Sequence, residues 1–115
     1  AYDRALQLLQ VEWDKMPDNE SYYISKAALY NAKRGNLDAA RDILSRLPIT
    51  EDTPSSQLYR AAVTYEILTN RKEALDMLKL ALEAGYPLTE VLNDPELSDL
   101  RQDMNYHYVL TARRP

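Results

Sequence analysis

Ile24-Ser25-Lys26-Ala27-Ala28-Leu29-Tyr30-Asn31 is the stretch that decides the fold, because Leu58-Tyr59-Arg60-Ala61-Ala62-Val63-Thr64-Tyr65 answers it 34 residues later. Ile24 is matched by Leu58, Ala27 by Ala61 and Ala28 by Ala62. The echo continues downstream, where Ala40-x-x-x-Leu44 returns as Ala74-x-x-x-Leu78. Self-similarity at this period marks a chain built from copies of one helix pair, each of which buries its apolar face against the next.

Local signals around the echo agree with helices throughout. Ala5, Leu8, Leu9 and Trp13 recur at spacings of three to four and predict a helix over 2–15, stopped by Pro17. Asp18 or Asn19 can cap a second helix, which runs to Arg34 and ends at Gly35, where glycine accepts the left-handed conformation. Asn36 is placed to cap a third helix over 37–47, with Leu37, Ala40, Ile43, Leu44 and Leu47 on one face and Pro48 closing it. Thr53-Pro54 reads as a capping hydroxyl followed by a first-turn proline, opening a fourth helix with Leu58, Ala61, Ala62, Tyr65 and Leu68. Asn70 marks the turn into a fifth helix, about 71–84, closed by Gly85. The rhythm then changes. A turn near 88–93 is expected, then two short helices starting from the Asp94-Pro95 cap, with Leu97, Leu100, Met104 and Tyr108 sharing a face.

Composition narrows the function. No cysteine is present, so disulfides and thiolate metal sites are excluded. Cysteine-free domains suit both cytosol and periplasm; a soluble domain in the cytoplasm is the expectation. A net charge of −4 with scattered Lys and Arg argues against a nucleic-acid surface, and the basic doublet Arg113-Arg114 reads as a solvated end. No apolar run approaches the roughly 20 residues that span a bilayer, so no membrane insertion by this segment is expected, and the N-terminus does not read as a signal peptide. With only Gly35 and Gly85, phosphate-cradling loops and glycine-turned hairpins are disfavoured.

Ile24-x-x-Ala27-Ala28-x-x-Asn31 with Ala40-x-x-x-Leu44, and the matching second set, resemble the tetratricopeptide repeat. The resemblance implies an all-α fold: antiparallel helix pairs stacked as a right-handed α-solenoid with a short helical C-terminal cap. Its small residues have a packing role, since two helices approach closely only where side chains are small. Ala28 and Ala62 take that position on the first helix of each pair, Ala40 and Ala74 on the second. Ile24 and Leu58 stand in place of the family's tryptophan, Asn31 in place of its tyrosine, and Pro48 shortens the first unit. The implied organisation is the second helix of a truncated repeat over 1–17, repeats over 21–54 and 55–88, and a capping tail over 89–115. Leu92-Asn93-Asp94-Pro95-Glu96-Leu97-x-x-Leu100-Arg101-x-Asp103 is similar to the ending of repeat domains in bacterial signalling proteins, among them serine/threonine kinases, adenylyl cyclases and winged-helix regulators, although Met104-Asn105 replaces their Pro-Arg.

Candidate chemistry is sparse. His107 is the single histidine and cannot build a multi-histidine metal site. Asp94, Glu96, Asp99 and Asp103 lack the spacing and central glycine of a calcium loop and read as caps and solvated faces. No catalytic set, cofactor or metal is expected. The nine tyrosines either pack between helices or serve an interface, where tyrosine is enriched. In the resembled family the first helix of each unit lines a concave groove. Carried over, that face is Tyr22, Ser25, Leu29 and Lys33, then Tyr59, Val63, Glu66 and Ile67. Leu29 and Val63 stand where carboxylate-binding members carry asparagine, and Lys33 is the one cation of this set, so an apolar and aromatic groove for a helix or extended segment is implied. The expected function is a non-enzymatic interaction module that binds a protein or peptide, or the catalytic domain of its own parent protein. The alternative is self-association through the open face of residues 2–15.

Overall fold

The computed structural model describes residues 2–16 and 19–112. The helix stop read at Pro17, the cap at Asp18 and the doublet Arg113-Arg114 lie outside the described residues. The chain is all-α, with helices packed against one another and no strand among the described residues. Its helices are α1 (Tyr2–Lys15), α2 (Glu20–Arg34), α3 (Leu37–Leu44), α4 (Ser55–Ile67), α5 (Arg71–Glu83), α6 (Leu88–Asn93) and α7 (Met104–Ala112). Two single 3-10 turns, Pro95–Leu97 and Leu100–Gln102, lie between α6 and α7. Packing is densest between α4 and α5, then between α2 and α3, with α2 also lying against α4 and α1.

Ala28, Ala40, Ala62 and Ala74 are all fully buried. Ile24, Ala28, Ala32, Ala40 and Leu44 share one core with Ala61 and Leu68. A second core joins Leu58, Ala62, Leu75, Leu78 and Leu82 to the tail residues Val91, Leu97, Leu100, Tyr106 and Val109. Leu9 of α1 reaches a third, small cluster with Tyr23 and Ala27, and Trp13 stacks on Tyr23 with ring centres 5.7 Å apart.

Helix endings repeat with the same period. The amide of Asn36 donates to the Asn31 carbonyl and that of Asn70 to the Tyr65 carbonyl, both at 2.9 Å. Such wrapping bonds satisfy the last carbonyls of a helix and need a left-handed residue just before the donor. Gly35 supplies it after α2, with φ 95°, and Gly85 supplies it after α5, with φ 100°. After α4 the same place falls to Thr69, at φ 61°.

Several local expectations change. The helix read over 37–47 ends at Leu44, and residues up to Leu47 continue as a tight turn in which Leu47 donates to the Leu44 carbonyl. Asn36 and Asn70 flank their helices without capping through their side chains; Asn36 instead donates to the Asn31 side chain at 3.4 Å. The Thr53 hydroxyl does not cap α4. It accepts from the Thr50 amide and donates to the Pro48 carbonyl, stitching the 48–53 connection together. Residues 88–93 form a helix rather than a turn. Asp94-Pro95 does open a helical turn, with the Asp94 carboxylate accepting from the Glu96 amide at 2.9 Å. The face predicted through Tyr108 breaks at Asp103, whose extended backbone (ψ 136°) resets the register. Among the described side chains of α7, Tyr106 and Val109 are buried and Tyr108 is exposed; the side chain of Met104 lies outside the described residues.

Candidate functional site

Leu29, Lys33, Tyr59 and Val63, four of the eight residues read from the sequence as groove-lining, meet in one cleft of about 260 Å³ between α2 and α4. Ser56, Arg60, Tyr86, Asp94 and Glu96 complete its wall. The helix period explains the gathering: Leu29 and Lys33 are four apart on α2, as are Tyr59 and Val63 on α4, so each pair shares a face.

One end of this cleft is closed by the tail. The Tyr59 hydroxyl donates to the Asp94 carboxylate at 2.5 Å, and the Tyr59 ring stacks on Tyr86 with centres 4.1 Å apart. Burial and the Asp94 carboxylate push the Tyr59 phenol far above its ordinary range, so it stays protonated and remains a donor. Lys33 faces Glu96 at 3.6 Å. Arg101 pins the approach by donating to the carbonyls of Val91 and Asp94. Tyr59 and Val63 are consequently buried beneath the tail rather than open to solvent. The apolar, aromatic groove expected from the sequence is here a mixed one, rimmed by two carboxylates.

Tyr22 and Ser25 connect to the cleft through Arg60. Its guanidinium donates to the buried Ser25 hydroxyl at 2.8 Å and lies 5.6 Å from the centre of the Tyr22 ring. The Ser25 hydroxyl itself donates to the Tyr22 carbonyl. Lys26 sits over the same ring at 4.7 Å. Arg60 is half-buried, and among the described residues no carboxylate lies within ion-pair distance of it. Burial pulls its basicity below the usual value, while Tyr22, Tyr30 and Tyr86 partly oppose that effect.

Glu66 and Ile67 belong elsewhere. Both oxygens of Glu66 are held by Arg71, at 2.8 Å each, and Arg71 also donates to Asp103 at 3.1 Å. The hydrogen bonds that Arg71 donates to Glu66 raise its basicity first, and the one it donates to Asp103 adds to it. Asp103 is held below the ordinary carboxylate range, first by the Asn105 amide and then by Arg71. Ile67 packs into the junction of the two main cores. Their positions on α4 match the groove face, but tertiary partners from α5 and the tail claim them.

A larger cleft of about 660 Å³ opens between α1, α2 and α3 around Trp13, Ile24 and Ile43. Its wall mixes both charges, with Asp14, Glu20 and Arg46, and it gathers none of the eight predicted residues. Sequence reasoning missed Lys26, Arg60 and Tyr86. A signal for the two cations was present: Lys26 and Arg60 are themselves 34 residues apart, so the echo repeats a basic residue as well as its alanines.

Elsewhere, His107 is exposed and its ring meets Tyr106 edge-on at 5.7 Å. Among the described residues no cluster of three His, Asp or Glu is arranged to hold a metal ion, and no helix is long and apolar enough to cross a membrane. No family model matches the sequence, and neither the curated proteins nor the solved structures contain a match to it.

Proposed function

We propose that this chain is a non-enzymatic interaction module, built as a right-handed stack of tetratricopeptide-like helix pairs with a helical cap, that binds a protein segment in the cleft between α2 and α4. The observation that carries this reading is the pairing of two features. The close-contact alanines are buried in both echoing units, and the cleft lies on the face those units share. Its wall offers half-buried Leu29, stacked Tyr86 and the donors of Arg60, which suits recognition of side chains. The tail's likeness to the endings of bacterial signalling proteins extends the proposal: the partner is a segment of another signalling protein or of the parent's own catalytic domain. Ser56→Trp fills the cleft from an exposed position, and Leu29→Asp places a charge in its wall. Ser56→Trp keeps the wild-type melting temperature, Leu29→Asp lowers it while the protein stays folded, and both lose the captured partner. A partner retained by both sinks the cleft assignment.

A second reading has its own observation. Leu8 and Val11 of α1 are 49% and 50% exposed and lie three apart on one face. Self-association through that face predicts a concentration-dependent dimer that Leu8→Glu abolishes. Light scattering that finds a monomer over a wide concentration range removes this option.

A further inference from the structure

The donors of the α2–α4 cleft differ in how they are matched. At the tail end, an acidic turn supplies a carboxylate to each donor: Asp94 to the Tyr59 hydroxyl and Glu96 to Lys33. Arg60 lines the same cleft and lies against the ring of Tyr22, which also carries Lys26, and among the described residues no carboxylate lies within ion-pair distance of Arg60. A guanidinium presents five N–H donors in a planar fork. Ser25 takes one of them, from Nη1. Holding such a group half out of water without an anion is unfavourable, and the free energy is recovered when an anion arrives. Contact with Tyr22 and Ser25 explains how Arg60 is positioned, since a cation over a ring face is attracted to it. It leaves the rest of the fork unused, and Arg60 is one of the residues that line the cleft.

We propose that Arg60, with Lys26 and Tyr22, forms a carboxylate subsite that takes an aspartate or glutamate side chain from a partner protein segment lying in the cleft. This rests on the reading of the chain as an interaction module and names what that module recognises. The tail's Asp94 and Glu96 are its internal template, since they already pair with Tyr59 and Lys33 in the same cleft. A carboxylate fits better than a nucleic-acid strand. The net charge of −4 and the two carboxylates in the same cleft repel a polyanion, whereas a single acidic side chain pairs with one fork. Leu29 and Tyr86 receive an apolar neighbour of that acid.

The test uses two pools of end-blocked peptides, degenerate except for a central Glu in one and a central Gln in the other, and a single-stranded oligouridine. Wild type, Arg60→Lys, Arg60→Gln and Lys26→Gln are each immobilised after a melting check. Wild type retains the Glu pool about tenfold over the Gln pool. Arg60→Gln loses that preference, and Arg60→Lys and Lys26→Gln reduce it. Equal retention of both pools overturns the carboxylate subsite and leaves peptide binding standing. Retention of neither pool overturns both. Arg60-dependent retention of oligouridine overturns the proposal in favour of phosphate. Should Arg60→Gln fail to fold, the other two variants decide the matter, and an unchanged Glu preference in both overturns it.

Discussion

The two helix pairs, α2 with α3 and α4 with α5, share an alanine frame but differ in what is tied to it. Each pair buries its alanines at equivalent places. The second is fastened to the tail through Glu66–Arg71–Asp103 on one side and Tyr59–Asp94 on the other, whereas the first meets it through the partly exposed Lys33–Glu96 pair. The first pair keeps Lys26 on the ring of Tyr22. Packing residues therefore repeat because close helix contact allows few alternatives, whereas polar residues diverge with the neighbour each pair meets. What is specific to this chain sits where the two units stop matching.

Removing Arg71 attacks that difference most directly. Glu66 has only 7% of its side chain exposed, so Arg71→Ala leaves a buried carboxylate without its bidentate partner. Loss of such a partner costs about 3 kcal/mol, and chemical denaturation should show a drop of that order. The matching change in the first pair, Leu37→Ala on an exposed side chain, should cost far less. Equal losses would mean that the second pair gains nothing from its tail.

Acid should loosen the same fastening. The folded-state pKa of Asp103 is depressed, so its contribution is complete above the ordinary carboxylate pKa and is lost as pH falls through the depressed value. Stability therefore declines below about pH 4. Asp103→Asn should start lower and show a shallower decline across that range. Parallel acid limbs in the two proteins would remove Asp103 from this role.

Much of the frame was legible because it is local and periodic. The alanine and leucine spacing, the glycines at 35 and 85 and the Asp94-Pro95 start all act within a helical turn of themselves. The misreadings are non-local or competitive. Thr53 has a capping hydroxyl, but the Pro48 carbonyl and Thr50 amide claim it first. Tyr108 follows the apolar spacing until the extended Asp103 resets the register, which no period reveals. Glu66 lies on the groove face of α4, yet Arg71 is five residues away across the turn and Asp103 returns from the tail. Which part of the groove stays open depends on where residues 94–97 dock, and that is decided by Leu97 entering the core of α4 and α5.

The turns after α2 and α4 offer a finer contrast. Gly35 and Thr69 hold the same left-handed place, but a β-branched residue is strained there by roughly 1–2 kcal/mol. Thr69→Gly relieves the strain and gives back part of it as unfolded-state entropy, for a net gain of about 1 kcal/mol. Gly35→Thr should lose a similar amount, since open space around Gly35 leaves backbone conformation as the sole penalty. Opposite shifts of a few degrees in melting temperature are expected. A fall with Thr69→Gly would show that the Thr69 hydroxyl, which donates to the Leu68 carbonyl at 2.6 Å, outweighs the strain.

The smallest effect concerns how the tail closes the second pair. Tyr106 is buried with Val109 against α5, and among the described residues its hydroxyl, shielded from solvent, has no hydrogen-bond partner. A lone buried hydroxyl loses its water bonds and gains nothing in return, so the ring carries the docking and the oxygen opposes it. Tyr106→Phe keeps the ring and removes the oxygen. Stability should rise by up to about 1 kcal/mol, with tail docking unchanged by hydrogen exchange at Leu97 and Leu100. A loss of stability would show that the hydroxyl is bonded within the folded protein, and that the tail is held by polar as well as apolar contacts on this side of α5.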